Sequence, residues 1–175
     1  LIDHMGTDLS VVNAARVSFA KENKEFQVVD DSRLIRYLAK HNHWSPFGHA
    51  SLQFHVTAPV FGARQLGKHQ VGLVWNEVSR RYVDSEPEFH FVEEWRGSPD
   101  NKKQGSSDEV IDISTHIQED YINMCTYTYR YLLDKGVCPE QARMVLPQSM
   151  MTEWYWSGTL MAFARVCNLR CKDDT

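Results

Sequence analysis

Apolar positions along the chain change their period several times, and each change marks an element. Val11, Val12, Ala15 and Val17 recur at helical spacing behind Thr7-Asp8-Leu9-Ser10, which offers Thr7 or Asp8 as N-cap. This spacing predicts a helix through about Ala20. A second helix is predicted from Asp31 to His41 with Leu34, Ile35 and Leu38 inward, and Ser45-Pro46-Phe47-Gly48 then breaks the chain into a turn. Leu52, Phe54 and Val56 alternate with polar neighbours, the period of a half-buried strand. Helical spacing returns after Pro59, which places Arg64 and Lys68 on one face, and Glu77 and Arg81 likewise if the helix resumes.

Phe89, Phe91 and Val92 suggest a short extended segment, and the Ser/Gly/Asn/Lys-rich residues 98–107 read as a mobile loop within a domain. A long helix is predicted from about Ser107 to Lys135 with Gly136 as its stop, and a short one opens at Pro139 and includes Gln141, Ala142 and Arg143. Met151 to Trp156 alternates like a strand, and Thr159 to Leu169 returns to helix. Strands and helices mix without regular β-α-β alternation. The expected class is therefore α+β, one domain over 1–175, with a mixed or antiparallel sheet and packed helices including one long helix.

Composition narrows the function classes. Hydrophobic content of 42% and charged content of 24% are globular values, and 175 residues suffice for one core. A formal charge of −4 gives no reason to expect a nucleic-acid partner, although a local cationic cluster still holds a small anion. No signal peptide or membrane-length apolar run is read, and Cys125, Cys138, Cys167 and Cys171 form no Cys-x-x-Cys pair. The thiols are expected to be reduced and the protein cytoplasmic. The start at Leu1 and the end at Cys-Lys-Asp-Asp-Thr suggest a chain truncated at both ends.

Residues 64–82 carry the densest chemistry. Five potential cations (Arg64, Lys68, His69, Arg80, Arg81) are interleaved there with Glu77, Ser79 and several carboxamides. Charged pairs alone make a solvated helix face; this mixture of donor types points instead to a small-molecule site. His41, His43, His49, His55 and His69 raise the question of a metal, but no cysteine or His-Glu-x-x-His spacing accompanies them, so no metal site is expected. Cys167 and Cys171 lie near Arg165 and Arg170, yet no base accompanies them, and buried, unreactive thiols are expected. Arg143, in an apolar run, and Arg170, near a helix end, read either as ion-paired structural residues or as anion binders. Ser79 has two arginines and Glu77 about it but no histidine, which fits binding better than nucleophilic attack. Neither a Walker loop nor Gly-x-Gly-x-x-Gly is present.

Several segments, in order, resemble the flavin-dependent thymidylate synthase family. They are Met5-Gly6-Thr7-Asp8-Leu9-Ser10 with Ala14-Ala15-Arg16-Val17-Ser18-Phe19, then His43-Trp44-Ser45-Pro46-Phe47, Ala63-Arg64-Gln65, Ala142-Arg143-Met144-Val145-Leu146-Pro147 and Asn168-Leu169-Arg170. The family signature is Arg-His-Arg-(x)7-Ser. Here Lys68-His69-Gln70 replaces Arg-His-Arg, and eight residues precede Ser79, which implies a bulge or a shifted helix start between His69 and Asn76.

Carried across by position, the resemblance implies FAD contacts from Ser18, His43, Ser45, Lys68, His69, Gln70 and Glu77. It implies dUMP contacts from Gln65, Lys68, Glu77, Ser79, Arg80, Arg81, Arg143 and Arg170, with Arg170 as the catalytic group. It further implies a homotetramer that converts dUMP to dTMP with NADPH as reductant and methylenetetrahydrofolate as carbon donor, in a bacterial cell or a phage-infected host. A related flavoenzyme adding another one-carbon group, a binding protein without turnover and a helical interaction module on residues 107–135 are the competing readings. The mixed donors of 64–82 speak against the last.

Overall fold

The computed structural model describes residues 1–100 and 105–171. In chain order the elements are β1 (Asp3–Met5), α1 (Asp8–Arg16), α2 (Val28–Lys40), β2 (Ser51–Pro59), α3 (Val60–Leu66), β3 (Leu73–Glu77), β4 (Trp95–Arg96), β5 (Val110–Ile111), α4 (His116–Asp134), α5 (Pro139–Ala142), β6 (Met151–Thr159) and α6 (Leu160–Arg170). Short 3-10 turns follow α1 (Val17–Phe19), precede β2 (Ser45–His49) and follow α5 (Arg143–Val145). The mixture is α+β, and it falls into two compact units.

The first unit comprises Leu1–Val56, His69–Asn76 and Tyr155–Cys171. The four-stranded sheet has the order β1-β2-β6-β3, and within this unit β1 runs antiparallel to β2 with His4 opposite Leu52. Helix α1 starts where its sequence provides a cap: the Ser10 hydroxyl accepts from the Thr7 N–H at 3.0 Å. Val11 and Val12 are buried, each worth roughly 1.5–3 kcal/mol against exposure. The helix ends at Arg16, four residues before the predicted stop, and Ala20 takes a left-handed φ of 52°, so Val17 and Phe19 are exposed. In α2, which begins three residues before the predicted start, Leu38 is buried and Leu34 and Ile35 half-buried.

Aromatic side chains fill the space between sheet and helix in this unit. Phe54 and Trp156 both meet the ring of Phe163 edge-on, at 5.1 and 5.2 Å between centroids. Between His69 and Asn76 the chain makes a turn, with Gly72 at φ 76°, and enters β3; there is no helix start and the helix does not resume. A Cβ on Gly158 of β6 would run into the Gly72 carbonyl oxygen, so the close approach of these two backbones requires glycine.

The second unit comprises the described residues of Thr57–Lys68 and Glu77–Trp154. Helix α3 stops at Leu66, so Lys68 sits in the following turn and does not share a helical face with Arg64. The long helix starts at His116, nine residues later than predicted. Val110 and Ile111 are drawn into a two-stranded pairing with Arg96 and Trp95, and tertiary pairing overrides helical spacing there. Ile122, Cys125 and Tyr129 form the buried stripe of α4, and Gly136 ends it at φ 84°. Arg143 lies just past α5, in the 3-10 turn, and Phe89 makes only an isolated bridge to Met150. Residues 101–104 of the predicted mobile loop lie outside the described residues.

Candidate functional site

In the second unit, strand β6 alternates its side chains. Thr152 and Trp154 point inward while Glu153 faces out, and the Val78 N–H donates to the Glu153 carbonyl at 3.0 Å. This pairing brings Glu77, at the end of β3, alongside Thr152. The Thr152 hydroxyl donates to Glu77 Oε1 at 2.7 Å. Both residues line a groove of about 550 Å³, with Arg64, Arg80, Arg143 and Gln148 among the other walls.

Two of the groove's guanidiniums are held by backbone. Arg80 donates to the carbonyls of Ser85 and Glu86, and Arg143 Nε donates to the Glu140 carbonyl at 3.2 Å. The Glu140 carboxylate approaches Arg143 only to 4.0 Å. Carbonyls orient a guanidinium without cancelling its charge, so both arginines remain capable of meeting an anion. Glu86, Glu88 and Glu153 also line the groove, and Glu86 is ion-paired with Arg130.

Three of the residues assigned to the nucleotide, Glu77, Arg80 and Arg143, thus share one groove; Gln65, Lys68, Ser79 and Arg81 do not line it. Arg81 Nε donates to the Ser79 hydroxyl at 3.1 Å, and its guanidinium lies 5.1 Å from the centre of the Tyr82 ring. Gln65 is exposed on α3, and the Lys68 N–H donates to its carbonyl at 3.3 Å.

The first unit contains a separate cavity of about 920 Å³. Ser18, His43 and Ser45, three of the expected flavin residues, line it together with Arg16, Tyr37 and Trp44. Tyr37 stands edge-on to His43 at 5.9 Å. One wall is fixed by Asp31 of α2, whose carboxylate is fully buried. It accepts from Arg16 Nη2 at 2.8 Å, from Asn23 Nδ2 at 3.0 and 3.1 Å, and from the Gln27 N–H at 2.8 Å. Asn13 and Asn23 exchange two further bonds of 2.9 and 2.8 Å, fastening the segment after α1 to α1 itself. The Gln27 N–H above all, then Arg16 and Asn23, hold the Asp31 carboxyl below its ordinary 3.8 although burial opposes them.

Also in the first unit, Arg170 at the end of α6 donates through Nε to His69 Nε2 at 3.0 Å, joining residues 101 positions apart. Nε2 must then carry the lone pair, which places the proton of a neutral His69 ring on Nδ1. Neither residue lines the cavity, nor does Gln70, whose carbonyl accepts from the Leu73 N–H at 3.2 Å.

Thr152, Asp31, Tyr37 and Trp44 escaped sequence reasoning. Thr152 did leave a signal: it is the polar member of an inward-facing row completed by Trp154 and Trp156. All four cysteines are free; Cys125 is buried, while Cys138, Cys167 and Cys171 are exposed, contrary to the expectation of buried thiols for Cys167 and Cys171 at the solvent-facing end of α6. No helix among the described residues is long and apolar enough to cross a membrane.

A charged groove and an aromatic-walled cavity on an α+β scaffold define a class of small-molecule-binding protein, and known proteins narrow it. The crystal structure of the UMP/dUMP methylase PolB from Streptomyces cacaoi, bound with 5-Br dUMP, superposes with a TM-score of 0.80 at 33% identity, covering 97% of this chain and 76% of that one. The flavin-dependent thymidylate synthase of Thermus thermophilus is 40% identical over 171 residues, which are 97% of this chain but only 62% of that protein. The enzyme of the same name from Thermotoga neapolitana is 39% identical over 174 residues, 97% of this chain and 74% of that protein. A family model matches residues 1–175, and the chain belongs to the Thy1 family, described as thymidylate synthase complementing protein.

Proposed function

We propose that this chain carries out flavin-dependent reductive methylation of dUMP to dTMP, with methylenetetrahydrofolate as carbon donor and NADPH as reductant. The convergence of Glu77, Arg80 and Arg143 in one groove carries this reading. A nucleoside monophosphate has an anionic end for guanidinium and hydroxyl or N–H donors for a carboxylate. The likeness to flavin-dependent thymidylate synthases and to a UMP/dUMP methylase supports the same reaction.

The donor set of the first unit's cavity fits a flavin. Hydroxyls of Ser18 and Ser45, the rings of His43, Tyr37 and Trp44, and the Lys21 cation suit a planar heterocycle with an anionic tail. These residues would hold FAD, with His69, Gln70, Lys68 and Glu77 assigned to it by family position. Bound flavin supplies hydride to the nucleotide. The protein's share is alignment and electrostatics. Arg143 and Arg80 bind and orient the nucleotide, converting an encounter into an aligned pair. Arg170 stabilises negative charge that builds on the pyrimidine ring, an effect worth several kcal/mol in a dry site. Its bond to His69 restricts the guanidinium to one orientation. Gln65, Lys68, Ser79 and Arg81 complete the nucleotide contacts in this reading.

The exposed face of α4 supports self-association into a homotetramer. Ile117, Tyr121, Met124, Tyr127 and Tyr131 are each at least half exposed along it. Light scattering measures the assembly directly, and a monomeric mass would reject it.

Tritium release from C5-labelled dUMP, dependent on both NADPH and methylenetetrahydrofolate, tests the reaction, with UMP assayed in parallel because PolB is described as acting on both. Flavin absorbance in the purified protein without tritium release would favour a binding protein. Release with a different C5 product would favour a related one-carbon flavoenzyme. Arg170→Ala is expected to lower turnover far more than flavin content; equal losses would reject its assigned role.

A further inference from the structure

Asn42, two residues beyond the end of α2, takes a left-handed φ of 55°, where a Cβ normally crowds the following carbonyl. Backbone bonds close round it. The Asn42 N–H donates to the Ala39 carbonyl at 3.2 Å and the His43 N–H reaches back to the Leu38 carbonyl at 2.9 Å. This nested pair is a Schellman stop, and it requires a left-handed residue where Asn42 stands. The reversal folds His43 back over the last turn of α2. There its ring meets Tyr37 edge-on at 5.9 Å, the contact between the returning chain and the helix that such a stop favours. Leu38 is buried, so the carbonyl that receives His43 belongs to a residue tied to the core.

From this we infer that Asn42 is a positioning residue: its left-handed backbone holds the His43 ring in the cavity wall, preset for the flavin. The inference rests on the reading of this cavity as the flavin site and goes one residue beyond the contacts assigned by family position. Farther along the same wall, Pro46 is buried and the Phe47 N–H donates to the Trp44 carbonyl at 3.0 Å, so the next turn has its own supports. His43 is therefore the wall residue that depends most directly on the reversal. Asn42 also borders the cavity, which makes a direct contact through its carboxamide the rival role. Glycine separates the two, because it adopts the left-handed conformation freely and has no carboxamide. A β-branched residue resists that conformation.

The test titrates the full chain with FAD, read by flavin fluorescence, and follows folding without FAD by thermal denaturation. Asn42→Gly is expected to bind FAD within about twofold of wild type. Asn42→Val is expected to weaken FAD about fivefold, approaching the loss from His43→Ala, the size of a displaced ring contact. If Asn42→Val does not fold, Asn42→Ala carries the test, with a loss of about threefold. In a His43→Ala background either substitution is expected to add less than about 1.5-fold, because the group through which Asn42 acts is gone.

A loss in Asn42→Gly as large as in Asn42→Val would overturn the backbone role in favour of the carboxamide. Wild-type affinity in Asn42→Val, or an equal loss from it with and without His43→Ala, would also overturn it. Normal FAD binding by His43→Ala would remove the inference alone and leave the cavity's reading in place. No FAD binding by the wild-type chain would remove both together.

Discussion

Arg16 and Arg143 are the same residue type put to opposite uses, each in its own unit. Arg16 donates to a fully buried carboxylate, and its charge is answered by Asp31 before any ligand is considered. Arg143 is steadied most closely by a carbonyl at 3.2 Å, and the Glu140 carboxylate stands 4.0 Å away on the surface. An arginine answered by a buried carboxylate serves the scaffold, whereas one whose nearest partner is neutral keeps charge that an anion can meet. The partner's charge, more than the arginine's exposure, tells the two apart.

Asp31→Ala tests the scaffold side and should give the largest effect. It leaves Arg16, Asn23 and the Gln27 N–H without their acceptor, and the melting temperature should fall by about 10 °C. A shift under about 2 °C would show that the network is ornamental. Arg143→Ala tests the binding side. It should weaken dUMP by about tenfold or more while leaving the melting temperature nearly unchanged. Comparable stability losses in the two variants would erase the contrast.

Acid sharpens the comparison further. The Asp31 carboxyl is held below its ordinary 3.8, so its contribution is fully present above that value and is lost as pH falls through 3.8 toward the lowered one. The wild-type chain should therefore lose stability in that window, and Asp31→Asn should show a flatter acid limb in thermal melts. The smallest effect is expected at His116, which Glu119 raises above its ordinary 6.5 from 3.0 Å away on the surface. That stabilisation is present below pH 6.5 and disappears as pH rises past the raised value. His116→Gln should change the melting temperature by no more than about 1 °C at pH 6.

Much of the fold was legible because local signals agreed with tertiary demands. Thr7 and Ser10 begin α1, Gly136 ends α4, and alternation from Met151 marks β6. Misreadings arose where long-range pairing intervened. Val110 and Ile111 sit in a stretch with helical spacing but pair with Arg96 and Trp95. Residues 73–77 form a strand in place of resumed helix because the sheet claims them. The site was legible in part for the same reason. Residue types nominated Glu77, Arg80 and Arg143, but only the fold could set Thr152 beside Glu77, 75 positions away. The pairing of Arg16 with Asp31 was equally hidden, since nothing in the spacing of α1 and α2 announces which acid faces which base.

At Gly158 the backbone of β6 passes so near the Gly72 carbonyl that even a methyl group has no room. A library randomised at this codon and selected only for folded protein should return a single letter. Hybrid genes spliced between relatives would then succeed or fail according to whether both halves of that contact travel together.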